Sequence, residues 1–143
     1  MSPAQPMGEP LPGVGELPQR VAAPAPDGSE RPFSVYLHVP YCRVRCGYCD
    51  FNTYTNLTMG QGASAEDFVG TLAGELRAAR SAMDSAGLPV RPAQTVFVGG
   101  GTPTMLPACD LATMLELVRE CFGLAPDAEV TTEANPDSVD EAG

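Results

Sequence analysis

The chain has 143 residues, a formal net charge of −10 and eight basic side chains. That length suits one domain, and so acidic a chain carries no electrostatic footprint for nucleic acid or for an anionic membrane surface. No apolar run approaches a membrane span and the start lacks the regions of a signal peptide, so we expect a cytoplasmic protein with no integral membrane segment.

Residues 1–32 hold eight prolines and four glycines with almost no apolar periodicity, and read as a disordered leader ahead of a domain over residues 33–143. Phe33, Val35, Leu37 and Val39 then alternate with Ser34, Tyr36 and His38, which predicts a strand ended by Pro40. A long connection follows over residues 40–63. Ser64 with Asp67 forms a capping-box-like start, and Phe68, Leu72, Leu76 and Ala79 recur at helical spacing, predicting a helix over residues 65–85 stopped by Gly87. A second strand spans residues 95–98 and runs into Gly99-Gly-Gly-Thr102. Leu111, Met114, Leu115, Val118 and Phe122 mark the face of a second helix, and a third strand covers residues 128–133. Asn135-Pro136 breaks that strand before a helix that begins at Asp137 or Ser138 and is barely under way at Gly143, as in a truncated chain.

Strands alternating with helices imply an α/β fold with a parallel sheet, in which ligands gather at the carboxyl ends of the strands. Three motifs fall at that edge. The first is Cys42, Cys46 and Cys49 in the spacing C-x3-C-x2-C. Three ionised thiolates in one loop repel one another, so a cation has to hold them, and thiolates are the usual ligands of a [4Fe-4S] cluster. Three ligands leave one iron open to a small molecule. Seven residue steps reach about 23 Å when extended, so the loop has to curl, with Gly47 supplying the unusual backbone. Arg43 and Arg45 would offset the cluster's negative charge. The alternative is zinc held by the three cysteines and His38, although no second zinc knuckle follows.

The second motif is Gly99-Gly-Gly-Thr102, where glycines let the backbone approach a carboxylate or an ammonium group and Thr102 adds a hydroxyl. A bare strand-to-helix turn is the plainer reading of it. The third is Glu133, which shares a strand face with Glu129 and Thr131 and would favour a sulfonium or amino group, or simply be exposed. Tyr36 and His38 occupy the polar face of the first strand, His38 more naturally as a satisfied side chain than as a ligand. Cys109 and Cys121, at the two ends of the second helix, read as structural. Five cysteines, three of them clustered, fit a reducing compartment rather than a disulfide framework.

Cys42-x3-Cys46-x-Tyr48-Cys49 resembles the signature of radical S-adenosylmethionine (SAM) proteins, with an aromatic before the third cysteine. Tyr36-Leu-His-Val-Pro-Tyr-Cys42, Tyr48-Cys-Asp-Phe51, Phe97-Val-Gly-Gly-Gly-Thr-Pro-Thr104 and Glu133-Ala-Asn-Pro136 are similar to oxygen-independent coproporphyrinogen III oxidase-like proteins. The resemblance covers residues 33–143 and implies about three βα units from the N-terminal part of a partial (β/α)6 barrel. It further implies that the open iron binds SAM and that a cluster electron cleaves the sulfonium to a 5'-deoxyadenosyl radical. By the same resemblance Tyr36 contacts SAM near the cluster, Gly100, Gly101 and Thr102 hold its methionine end, Glu133 binds its ribose or amino group, and the backbone around Tyr48 reads the adenine.

One position separates two branches of that family. True coproporphyrinogen III dehydrogenases resemble C-x3-C-x2-C-x-C, whereas this chain has Asp50-Phe51 after the third cysteine. The Cys-Asp-Phe-Asn run resembles the heme chaperone branch, which implies binding heme and passing it to an acceptor protein, with an electron donor for the cluster. The dehydrogenase of porphyrin biosynthesis, acting on a porphyrinogen, and a zinc-stabilised binding module are the alternatives.

Overall fold

The computed structural model describes residues 31–58 and 64–139. All but the last two residues of the expected leader lie outside the described residues. Three strands, β1 (Ser34–Val39), β2 (Ala93–Gly100) and β3 (Leu124–Thr132), form one sheet in the order β1-β2-β3, and both pairings are parallel. Helix α1 (Phe68–Ser85) joins the first two strands and α2 (Ala108–Phe122) the last two. This is the α/β architecture expected from the alternation of strands and helices.

The period-two pattern of β1 decides how the sheet is covered. Val35, Leu37 and Val39 pack with Val96 and Val98 of β2 into one buried cluster with Leu72 and Leu76 of α1 and Met114, Val118 and Phe122 of α2. Both helices thus serve the same sheet face, each through residues spaced three or four apart. The other face carries Tyr36, His38, Phe97 and Glu133. Tyr36 and Phe97 stand opposite each other in the ladder and stack at 6.0 Å between ring centroids.

Several boundaries differ from expectation. Helix α1 begins at Phe68, because residues 65–67 form a turn in which the Ser64 hydroxyl accepts the Asp67 N–H at 3.2 Å and donates to the Asp67 carboxylate at 2.8 Å. Strand β2 is longer than expected and takes in Gly99 and Gly100, paired with His38 and Val39. Strand β3 starts at Leu124, reached from Gly123 at φ 86°, a conformation that favours glycine. Beyond Asn135 the chain makes one short 3-10 turn, Pro136–Ser138, with the Asn135 side chain accepting the Asp137 N–H at 3.0 Å. The expected third helix has no longer form among the described residues.

Met114 is 0 % exposed in the middle of α2. We expect Met114→Ala to lower the unfolding free energy by about 2–5 kcal/mol in chemical denaturation. Glu116→Gln, which removes only the exposed pair with Arg119, should change it by less than about 0.5 kcal/mol.

Candidate metal centre

The alternation of β1 does not end at Val39. It runs through Pro40 to Tyr41, which is buried and meets the Phe68 ring edge-on at 5.7 Å. The Tyr54 N–H donates to the Pro40 carbonyl at 2.7 Å and the Cys42 N–H to the Tyr54 carbonyl at 3.0 Å, so the returning chain is tied to the departing one. Residues 42–53 therefore form a closed excursion that carries all three cysteines. Within it the Cys49 N–H donates to the Cys46 carbonyl at 3.1 Å, which turns the chain between the second and third cysteine. Gly47 needs no special backbone for this: its φ is not positive, and a Cβ there would meet nothing within 4 Å. The curl comes from the turn and the closed base, contrary to expectation.

The three thiols are free and differ in exposure: Cys42 is buried, Cys49 half-buried and Cys46 exposed. A hydroxyl lies near each of two sulfurs, Thr102 Oγ1 at 3.9 Å from Cys42 Sγ and the buried Thr53 Oγ1 at 4.0 Å from Cys49 Sγ. Among the described residues no three Cys, His, Asp or Glu side chains converge on a point that could hold one metal ion. A cubane cluster asks for something else, since its ligands sit on separate irons and flank it from several sides. Three free thiols on one loop are ligands of that type, and Gly101 leaves room beside the first of them: a Cβ there would stand 3.0 Å from Cys42 Sγ. His38, the fourth ligand a zinc site would need, has both ring nitrogens engaged, Nδ1 with the Tyr36 hydroxyl at 3.0 Å and Nε2 with the Asn52 carbonyl at 2.9 Å.

The glycine turn meets this loop through its backbone. Gly100 has φ 111°, and a Cβ on it would strike the His38 ring. A Cβ on Gly101 would overlap the Tyr41 carbonyl oxygen. The Gly101 N–H donates to the Val39 carbonyl and the Thr102 N–H to the Tyr41 carbonyl, each at 2.7 Å, while the Gly100 N–H donates to Glu133 Oε2 at 3.0 Å. All three amides are thus committed to acceptors of the chain itself. No amide at 100–102 remains for a carboxylate, and the fixed Glu133 carboxylate makes this edge favour a cation. The Glu133 N–H also continues the ladder beyond β3, donating to the Val98 carbonyl at 2.9 Å. Burial raises the Tyr36 phenol above its usual range, and the negative charge of Glu133 raises it further.

A cleft of about 570 Å³ opens where the three strand-end segments meet, a size usual for small-molecule sites. Arg43 and Cys46 line it from the cysteine loop, Thr102 from the glycine turn, and Asn135 and Asp137 from the segment after β3. The structure therefore brings Cys46 and Thr102 to one cleft. Tyr36 and Glu133 lie on the helix-free face of the sheet and do not line it, and Tyr48 points outward at 88 % exposure. The neighbouring Cys46 is the main cause that raises the Tyr48 phenol, with smaller contributions from desolvation and from Cys49. Cys121 packs at the edge of the core as expected, whereas Cys109 is exposed. Sequence reasoning overlooked Tyr41, Asn52, Thr53 and Tyr54. Unbroken alternation through Pro40 was a usable signal for Tyr41; the other three are defined by contacts that only the closed loop creates.

Two outcomes test this geometry. Gly101→Ala should destabilise the protein by about 1–3 kcal/mol, as crowding a packed site does, while Gly47→Ala should be near neutral, both read from denaturation midpoints. A raised Tyr36 value means that the folded state holds its phenolic proton more tightly. The associated stability is therefore present below the unfolded phenol pKa of about 10 and is lost as pH rises through the folded value. Glu133→Gln should move the Tyr36 midpoint down, towards the usual range, in an ultraviolet absorbance titration.

The sequence pattern of the Radical SAM superfamily matches residues 36–142. Heme chaperone HemW of Mycobacterium tuberculosis is 48% identical over 129 residues, covering 90% of this chain and 29% of that protein. Heme chaperone HemW of Escherichia coli is 38% identical over 109 residues, covering 76% of this chain and 27% of that protein. Among solved structures, coproporphyrinogen III oxidase (HemN) from Escherichia coli, described as a radical SAM enzyme, superposes with a TM-score of 0.61 at 31% identity, over 78% of this chain and 24% of that one. The chain spans less than a third of the length of these relatives. A matched segment from Tyr36 to Ala142 that contains the cysteine loop, the glycine turn and Glu133 leaves one assignment: the chain belongs to the Radical SAM superfamily.

Proposed function

We propose that residues 33–143 are part of the core domain of a heme chaperone of the radical SAM class. In this reading Cys42, Cys46 and Cys49 hold a [4Fe-4S] cluster. The observation that carries it is the closed loop of three free thiols packed against Gly101 and Thr102. When bound, such a cluster supplies an open iron for SAM and an electron for its sulfonium. The chain's own residues would orient that ligand. Gly100, Gly101 and Thr102 present the turn, Glu133, fixed by the Gly100 N–H, attracts the amino or ribose end, Tyr36 closes the sheet side, and the backbone near Tyr48 meets the adenine.

Phe51 separates the chaperone from the enzyme. It stands 53% exposed, two residues after Cys49, where the dehydrogenase pattern has a fourth cysteine. The relatives named heme chaperone reach 48% identity, against 31% for the oxidase structure. The proposed partners are heme, an acceptor protein and an electron donor, in the cytoplasm. Among the described residues no helix is long and apolar enough to cross a membrane. Coproporphyrinogen III dehydrogenase is the second reading, favoured by the structural likeness to HemN.

Anaerobic reconstitution of the intact protein should yield iron and sulfide in equal amounts, and Cys42→Ala, Cys46→Ala or Cys49→Ala should each lose nearly all of both. Zinc in place of iron and sulfide would defeat the cluster. Hemin should bind the reconstituted protein and pass to an apo acceptor; formation of a vinyl porphyrin from a porphyrinogen would decide for the dehydrogenase.

A further inference from the structure

One side chain touches the cysteine loop, the glycine turn and β1 together. His38 Nε2 lies 2.9 Å from the Asn52 carbonyl and Nδ1 lies 3.0 Å from the Tyr36 hydroxyl. A Cβ added to Gly100 would come within 2.6 Å of both Cε1 and Nδ1 of the same ring. We infer that His38 is a positioning residue, a strut protonated on Nε2 that fixes the cysteine-bearing loop against the glycine turn.

The proton's place follows from donor and acceptor chemistry. A backbone carbonyl only accepts, so the bond to Asn52 requires Nε2–H. In the neutral ring Nδ1 is then the acceptor, and the Tyr36 hydroxyl donates to it. Each atom of the chain Tyr36–His38–Asn52 has one consistent role. Tyr36 anchors the strut on β1, two residues away on the same face of the strand.

The strut acts on the returning limb of the loop. The limb at Cys42 is fixed on the glycine turn by the Thr102 N–H bond to Tyr41 and by the close approach of Gly101. The limb that carries Cys49 returns through Asp50, Phe51 and Asn52, all three exposed. His38 grips it at Asn52, three residues after Cys49 and two before the backbone closure at Tyr54. Removing the strut therefore loosens the Cys49 limb and leaves the ladder between β1 and β2 intact. The inference concerns the loop itself and stands whether or not the loop carries a cluster.

The test uses the intact protein labelled with 15N-histidine, the His38 signals being those missing from His38→Leu. At the alkaline end of a pH series, where the ring is neutral, Nε2 should resonate as a protonated ring nitrogen and Nδ1 as an unprotonated one. Hydrogen exchange read by mass spectrometry should run roughly three- to tenfold faster over residues 42–54 in His38→Leu, the factor expected for one lost hydrogen bond. Exchange over Ser34–Val39 should not change. His38→Gln, whose side-chain amide can reach the same carbonyl, should restore slow exchange in the loop. A neutral ring protonated on Nδ1 overturns the inference, as does unchanged loop exchange in His38→Leu or equal acceleration of β1 and the loop. If His38→Leu does not fold, the ring signals of the unsubstituted protein, assigned by their absence from His38→Gln, decide the matter. Neither readout depends on iron, so a protein that takes up no cluster fails the proposed function and leaves the strut to be judged separately.

Discussion

The arrangement at the sheet edge depends on how closely the end of β2 can approach the start of the cysteine loop. At Gly101 the two backbones meet: its amide bonds to Val39, the next amide bonds to Tyr41, and the space a Cβ would need is taken by the Tyr41 carbonyl. Parallel pairing thus continues past the last ladder residues of β1 and β2. The Cys42 sulfur is pulled under the Thr102 hydroxyl as a consequence. A side chain at position 101 would force these segments apart, and the cleft, the buried thiol and the Thr102 contact would all change together.

The sheet separates two tasks by its faces. Val35, Leu37, Val39, Val96 and Val98 hold both helices through apolar burial, which supplies the main favourable term in folding. Tyr36, His38, Phe97 and Glu133 lie on the other face or at its end, where they bond to one another and to the loops instead of to the core. Polar groups there are paired: among the described residues no buried side-chain nitrogen or oxygen lacks a partner. The helical layer can remain stable while residues on the other face are free to serve other ends.

Much of this was legible in the sequence because it rests on short-range patterns. Alternation gave β1, helical spacing gave α1 and α2, and the βα order gave a parallel sheet with its motifs at one edge. The cysteine spacing and the glycine run marked the two loops that do meet in space. What was illegible depends on contacts between distant residues. Nothing in the local sequence shows that Gly99 and Gly100 continue β2, since their pairing with His38 and Val39 is tertiary. The bond between His38 and Asn52 and the closure at Tyr54 likewise exist only once the loop has returned. Gly47 misled for the opposite reason: its composition suggested a special backbone, while the hydrogen-bonded turn between Cys46 and Cys49 does the bending.

The two backbone bonds at Tyr54 have a consequence for how such a protein diverges. They make residues 42–53 an excursion whose two ends sit side by side on the sheet, so changes at its exposed positions 43–48 and 50–51 need not be transmitted to the β1 ladder. Loops closed in this way tolerate exchange of residues and length at little thermodynamic cost. Position 51, exposed and free of the core, can change its side chain without disturbing the sheet. Rewriting the exposed part of this segment then requires no refolding of the sheet that carries it.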